Sequence, residues 1–302
     1  MTIQRVPTTQ AGRLMNANLQ STYSRLVDLQ DQMASGKQLR RPSDAPAKVV
    51  DALDYRAQLR RSEQFERNSQ DAQGWLQTAD ATLASVVSYV QRARDLTLQA
   101  ANGSQNANGR QAAAAEIRSL RDGLVQLANT TYQGRSIFNG TAVGDTPAYD
   151  ASGTYTGDGG TVMRSVAPGV QVQVNVTGPE VFGASAGGPS FGGNLFEVLT
   201  RLADDLAAND PSTAGTALTA LDGALDRVYG VQASLGARSK RVDDVLARSA
   251  EVNVEIRGRL ASIEDIDLPK TIIDVKTQEL AYQAALQVTA KVIQPSLLDF
   301  LR

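Results

Sequence analysis

The sequence predicts a mainly α-helical protein, a long-helix coiled-coil bundle built from both ends of the chain, with a small β-rich insert domain. Two stretches without proline, residues 47–146 and 212–268, allow long helices, because proline breaks a helix interior. Apolar residues in them recur at alternating spacings of three and four, the pattern of packed helices. Residues 140–193 differ, since they hold 13 of the 25 glycines and four of the ten prolines. A segment of another kind therefore interrupts a helical chain.

The first two helices are separated by a break. The first is expected over residues 1–33, and it carries one apolar stripe made of Met15, Leu19, Thr22, Leu26, Leu29 and Met33. Ser43 and Asp44 can cap a second helix whose first turn contains Pro46. Asn102-Gly103 is a suitable end for this second helix.

A third helix and a strand follow. The helix is expected to begin at Asn106 or Asn108 and to close at Gly134 or Asn139-Gly140. An alternation of apolar and polar residues then predicts a half-buried strand, and its apolar positions are Val170, Val172, Val174 and Val176. Asp158-Gly159 is the expected hairpin turn nearby.

After the insert the helical spacing resumes and continues to the last stripe, which is Ala281, Ala285, Val288 and Val292. The chain is thereby divided into three predicted regions. Terminal helices forming an assembly coiled coil occupy residues 1–42 and 265–302, the central helical bundle occupies 43–141 and 193–264, and the β-rich insert domain occupies 142–192. These composition boundaries also predict that the insert can be removed without loss of the bundle.

The two terminal helices each need a partner, because a single amphipathic helix is marginal in water. Pairing them with one another, and the remaining apolar surface with neighbouring molecules, is one solution. The alternative is that both helices complete the bundle of the same monomer. The first solution predicts an assembly interface of Met15, Leu19, Leu26, Leu29, Met33, Ala281, Ala285, Val288, Val292, Leu297 and Leu298.

The amino-acid composition excludes most of the common catalytic mechanisms. The chain has no cysteine and no histidine, which excludes disulfides, thiol nucleophiles, imidazole bases and most zinc or haem sites. The formal net charge of −2 gives no case for electrostatic binding to nucleic acid or to an acidic membrane. We therefore expect no catalytic, cofactor-binding or metal-binding residues. Neither a membrane span nor a cleaved secretory signal is expected, since no long apolar run is present.

Several short motifs resemble, in order and spacing, those of the bacterial flagellin superfamily. The front motifs are Ser35-Gly36-Lys37-Gln38-Leu39, Pro42-Ser43-Asp44-Ala45-Pro46-Ala47, Leu98-Gln99-Ala100-Ala101-Asn102-Gly103, Leu127-Ala128-Asn129-Thr130 and Gly134-Arg135-Ser136-Ile137-Phe138-Asn139-Gly140. The back motifs are Ile263-Glu264-Asp265-Ile266-Asp267-Leu268, Tyr282-Gln283-Ala284-Ala285-Leu286 and Ser296-Leu297-Leu298. Within the superfamily, the Pro-Ser-Asp-Ala-Pro variant is more similar to hook–filament junction proteins than to filament subunits.

The resemblance implies a structural component of the bacterial flagellum, a junction protein that connects hook to filament and assembles as a ring through its terminal helices. The implied partners are other copies of the chain, a neighbouring hook-associated protein, flagellin and a flagellar export chaperone. It also implies type III export in an unfolded form and a location outside the cell. The alternative within the family is a filament subunit. A remote alternative is a surface carbohydrate-acting enzyme that uses the insert carboxylates Asp145, Asp150, Asp158 and Glu180.

Overall fold

Long helices dominate the computed structural model, which describes residues 8–39, 41, 43, 45–102, 105–142 and 146–293. In these residues the helices are α1 (Thr8–Ser35), α2 (Pro46–Ala101), α3 (Ala107–Ala128), α4 (Gly178–Phe182), α5 (Leu195–Ala207), α6 (Ala214–Glu264) and α7 (Leu268–Ile293). The strands are β1 (Thr131–Tyr132), β2 (Arg135–Ser136), β3 (Met163–Ala167) and β4 (Val170–Gln173). The predicted fold class, a mainly α bundle with a small β-rich segment, is confirmed.

Contacts between residues divide the chain into two compact units. The terminal unit comprises Met1–Arg60 and Asn253–Arg302, and the central unit comprises Arg61–Val252. The first residues of α2 and the last residues of α6 therefore belong to the terminal unit, together with α1 and α7. The predicted insert range, residues 142–192, falls within the central unit.

Helix α3 begins where the sequence predicts and ends earlier. Asn106 is its N-cap, because its side-chain oxygen accepts a hydrogen bond from Gly109 N at 2.8 Å. The expected end at Gly134 or Asn139-Gly140 is wrong, since the helix stops at Ala128. Gln133 and Gly134 then take positive φ angles of 50° and 76° and form the turn of the antiparallel β1–β2 hairpin.

The second hairpin pairs β3 with β4, and β4 contains Val170 and Val172 of the predicted strand but ends at Gln173, before Val174 and Val176. Val172 and Val174 are buried and Gln171 is exposed, as the alternation predicts, whereas the polar Asn175 is also buried. Its turn is wrongly predicted, because β3 and β4 are joined at Pro168-Gly169, where Gly169 has a φ of 72°. Asp158 instead fastens a loop, since its carboxylate accepts hydrogen bonds from the backbone N–H groups of Thr141 (2.6 Å) and Gly160 (3.0 Å).

The central unit has one continuous hydrophobic core to which the helices and the insert both contribute. The insert residues Tyr149 and Phe182 stack against Phe196 of α5, with ring centroids 4.9 Å and 5.1 Å away. Phe138, which follows β2, meets Phe182 edge-on at 5.6 Å. Aromatic pairs of this kind add to the free energy of apolar burial. The shared core argues against the expectation that the insert can be removed without loss.

In the terminal unit, α1 ends in a glycine turn. Gly36 has a φ of 67°, a conformation that suits glycine, and its N–H donates to Gln32 O at 2.9 Å. The following residues then pair with the end of α6. Gln38 N donates to Glu264 O at 2.6 Å, and Ile266 N donates to Gly36 O at 3.2 Å. These bonds hold the end of α1 beside the start of α7.

Candidate functional site: the paired terminal helices

Helices α1 and α7 pack against each other in the terminal unit. Gln278 Nε2 donates to Thr22 O at 3.0 Å, and the rings of Tyr23 and Tyr282 lie 5.5 Å apart. Lys37 at the other end of α1 bridges to Asp265. The middle of α1 thus meets the middle of α7, whereas Lys37, just after α1, pairs with Asp265, just before α7, so the two helices run antiparallel. The predicted pairing of the chain ends is therefore present within one molecule.

The predicted stripe of α1 lies on the covered side of that helix. Leu26 is 7% exposed, and the other members Met15, Leu19 and Leu29 are half-buried. Met33 is exposed, and so are two apolar residues outside the stripe, Leu14 and Tyr23. The α1 stripe therefore packs largely within its own chain, which leaves less of it for neighbouring molecules than the sequence predicts.

Helix α7 shows the reverse arrangement. Its covered positions include the buried Val275 and the half-buried Tyr282, and the others are polar or small, among them Thr271, Gln278, Ala285 and Thr289. Its exposed positions include five large apolar side chains beyond the first residue Leu268, namely Ile272, Ile273, Leu280, Leu286 and Val288. We call these five residues the outer apolar face. Polar residues such as Lys276, Gln283 and Gln287 lie among them. Since large apolar side chains exposed close together on one helix often mark a contact surface, this helix is suited to more contacts than α1 provides.

The predicted interface residues of α7 are divided by this arrangement. Ala285 is half-buried, whereas Ala281 and Val288 are exposed. The side chain of Val292 and residues Leu297 and Leu298 lie outside the described part of the structure. Four members of the outer apolar face, all except Val288, were missed from the sequence. A search for a single stripe finds one face of a helix, whereas the signal for a second face was the high overall apolar content of α7.

A charged cluster joins the start of α2 to the end of α6 within the terminal unit. Glu264 is buried, with a side chain 4% exposed, and Arg56 Nε lies 2.8 Å from its Oε1. Lys37 Nζ donates to Glu264 Oε2 at 3.3 Å and to Asp265 Oδ1 at 2.7 Å. The hydrogen bond to Asp265 raises the pKa of the Lys37 ammonium; burial opposes this rise and Glu264 adds to it. Two cations thus compensate a buried carboxylate, whose isolation would be strongly unfavourable.

The insert carboxylates Asp150 and Asp158 accept hydrogen bonds from neighbouring residues in turns and loops. The pKa of Asp158 is lowered chiefly by a hydrogen bond from the Thr141 hydroxyl, and that of Asp150 chiefly by one from the Ser152 hydroxyl. A general acid of a glycosidase needs a raised pKa, so these shifts have the wrong direction for that role. Asp145 lies outside the described residues.

The described residues contain no group of three or more acidic side chains arranged to hold a metal ion. In the same part of the chain, no helix combines the length and the apolar character needed to cross a membrane.

Two family models match the helical parts of the chain. The model of the bacterial flagellin N-terminal helical region matches residues 6–143, and that of the bacterial flagellin C-terminal helical region matches residues 218–301. The residues between them include most of the predicted insert.

Among curated relatives, flagellar hook-associated protein 3 of Escherichia coli is 26% identical over 275 residues, which cover 84% of this chain and 86% of the relative. Flagellin of Bacillus subtilis is 25% identical over 273 residues, covering 87% and 88%. Two solved structures share the fold. FlgL of Bacillus cereus gives a TM-score of 0.60 at 22% identity over 69% of this chain and 99% of the other. The flagellar junction protein FlgL of Legionella pneumophila gives 0.55 at 18% identity over 72% and 100%.

Proposed function

Because the chain belongs to the bacterial flagellin family, we propose that it is a structural component of the bacterial flagellum that connects the hook to the filament. The observation that carries the proposal is the outer apolar face of α7, which places Leu280 and Ile273 about two-thirds exposed on a helix that already has one partner. Such a surface is typical of a subunit that is completed by its neighbours. The full-length similarity to hook-associated protein 3 favours the junction role.

Assembly through the terminal unit follows from this surface. In the proposed ring of subunits, the outer apolar face packs against the terminal helices of neighbouring copies. Ala281 lies between these residues in sequence and is small, so it allows neighbouring helices to approach closely. The Lys37–Glu264–Arg56 cluster would hold the α1–α7 pair to the start of α2 and the end of α6 while that contact forms.

The proposed partners are further copies of this chain, a neighbouring hook-associated protein, flagellin and an export chaperone. The proposed location is the flagellum outside the cell. Absence of cysteine suits export in an unfolded form, because a disulfide would restrict the chain. The function includes no catalysis, and the turn-forming roles of Asp150 and Asp158 support that part of the proposal.

Electron microscopy of cells that lack this gene tests the junction role. We expect hooks without filaments and monomeric flagellin in the medium, both restored when the gene is supplied again. Filaments of normal length in the deletion strain would contradict the proposal.

A second candidate function, filament subunit, is favoured by the 25% identity to flagellin of Bacillus subtilis over 88% of that protein. The purified chain distinguishes the two functions. A filament subunit grows into long polymers alone, whereas a junction protein stops at a short layer.

A further inference from the structure

A groove in the central unit lies between α6 and the segment that contains α4. Its volume is about 350 Å³, and Arg227 and Arg238 of α6 stand on its wall with Val231 between them. Glu180 of α4 forms part of the opposite wall. This groove has no part in the terminal surface described above.

The two arginines of this groove have guanidinium N–H groups that remain available to a ligand. Arg238 is half-buried, and its Nη1 donates to Asn175 O at 3.0 Å, which fixes its position with one of five N–H donors. Arg227 has no ion pair among the residues that the structure describes. Six other arginines of the central unit have carboxylate partners, in the pairs Arg92–Glu116, Arg94–Asp222, Arg118–Asp204, Arg121–Asp122, Arg164–Asp71 and Arg201–Asp205. Arg110 and Arg135 contact Asn209 and the Trp75 ring instead.

Gly230 lines the groove and lies between the two arginines in sequence. A Cβ atom at this position would meet no atom within 4 Å, so packing inside the chain does not require glycine here. Glycine in a helix interior is less stable than alanine by roughly 0.5–1 kcal/mol. Its effect at this place is to leave the helix backbone open to whatever enters the groove.

We propose that this groove binds an extended acidic segment of a partner protein, with one carboxylate on Arg227 and another on Arg238. A guanidinium group binds a carboxylate through two parallel N–H donors, which suits two arginines without carboxylate partners. Arg227 and Arg238 are eleven positions apart in sequence, which is roughly 16 Å along a helix and about the length of five residues of extended chain.

The acidic residue Glu180 makes it possible to predict a variant that binds an acidic ligand more tightly. Its carboxylate accepts a hydrogen bond from Thr177 N at 2.9 Å, and the residue lines the groove. An acidic ligand would be repelled by it, so removal of this one charge should tighten binding. The amide of glutamine can accept the same hydrogen bond, so Glu180→Gln keeps the α4 cap.

The test uses the full-length chain and a five-residue peptide, blocked at both ends, with glutamate at the first and last positions. Binding is followed by NMR through the methyl signals of Val176 and Val231. We expect saturable shifts at low salt that weaken about tenfold in Arg227→Ala or Arg238→Ala and strengthen about twofold in Glu180→Gln. A matched peptide with glutamine in place of glutamate should give no shifts.

Three results would overturn the proposal. The first is no saturable shift while the chain remains folded. The second is equal binding of the glutamine peptide. The third is that inorganic phosphate produces the same shifts with equal affinity, which would make the groove a general anion site. Because the peptide is tested directly, none of these results bears on the flagellar role.

Discussion

The terminal and central units treat apolar residues in opposite ways. In the central unit, Leu83, Leu124 and Phe196 are fully buried in one core that combines helices and insert. In the terminal unit, Leu280 and Val288 remain half exposed or more although they lie on a well-formed helix. The central unit therefore has the composition of a domain that folds alone, whereas the terminal unit exposes large apolar side chains of the kind that mark contact surfaces.

The largest expected effect comes from removing the insert. Replacement of residues 143–191 by a short Gly/Ser linker deletes Tyr149 and Phe182, which cover Phe196. The loss of a single buried phenylalanine costs roughly 3–5 kcal/mol, and a whole domain has about 5–15 kcal/mol of stability. We expect no cooperative urea transition, measured by circular dichroism. A transition like that of the parent would show that the insert is separable.

Leu124→Asp is expected to have the next largest effect. The side chain is fully buried in the central core, and an unpaired charge there should lower the free energy of unfolding by about 4 kcal/mol. Urea unfolding at equilibrium measures this change. Leu124→Met is the control, because it keeps volume and polarity and should cost less than about 1.5 kcal/mol. Equal stability of the Asp variant and the parent would mean that this core is not as dry as the structure shows.

Leu26→Asp should destabilise the protein less than Leu124→Asp in the central core and more than a change on the outer apolar face. This residue is buried against its own chain, so the change should destabilise the α1–α7 pair by about 2 kcal/mol. Proteolysis of the dilute monomer is the measurement, and we expect faster cleavage within α1 than in the parent. Asn18→Asp, at an exposed polar position, should leave the rate unchanged. Identical rates in both variants would place Leu26 on a surface that is open in solution.

The sequence was more informative for the central unit than for the terminal unit. The long helices follow from proline-free stretches and regular apolar spacing, and the start of α3 follows from Asn106, because these are local signals. The end of α3 and the Pro168-Gly169 turn were mispredicted, since several Gly-bearing turns competed and only tertiary packing selects among them. The outer apolar face was missed for another reason. Periodicity shows that a helix has an apolar side, but it does not show which side its own chain covers.

Tyr149→Phe should stabilise the central unit slightly. The hydroxyl is buried without a hydrogen-bond partner in the described structure, and this burial raises the pKa of Tyr149 well above its usual range. Removing an unpaired buried hydroxyl should raise the free energy of unfolding by up to about 1 kcal/mol. Tyr155→Phe is the matched control, because its hydroxyl donates to Asp158 O at 2.7 Å and its loss should destabilise by about 1 kcal/mol. Thermal unfolding of both variants measures these changes in stability. A Tyr149→Phe variant less stable than the parent would show that the Tyr149 hydroxyl has a hydrogen-bond partner.

Val288→Asp is expected to change monomer stability least and assembly most. The side chain is 50% exposed on the outer apolar face, so the free energy of unfolding should change by about 0.5 kcal/mol or less. In the assembled flagellum the same position would be dry, and an unpaired charge there costs several kcal/mol. The variant should therefore melt like the parent, reach the cell exterior and fail to support filament growth in the deletion strain.

Gln283→Asp separates the effect of charge from the effect of position in this experiment. Gln283 is exposed, already polar, and about 140° around the helix from Val288, so the same charge there should leave filament growth intact. If both variants support growth, the outer apolar face is not an assembly contact. If Val288→Asp lowers the monomer's melting temperature as much as Leu124→Asp, then α7 belongs to the monomer's own core. In that case the terminal helices would complete a single cooperative bundle, and the exposure of Val288 would not mark an assembly contact.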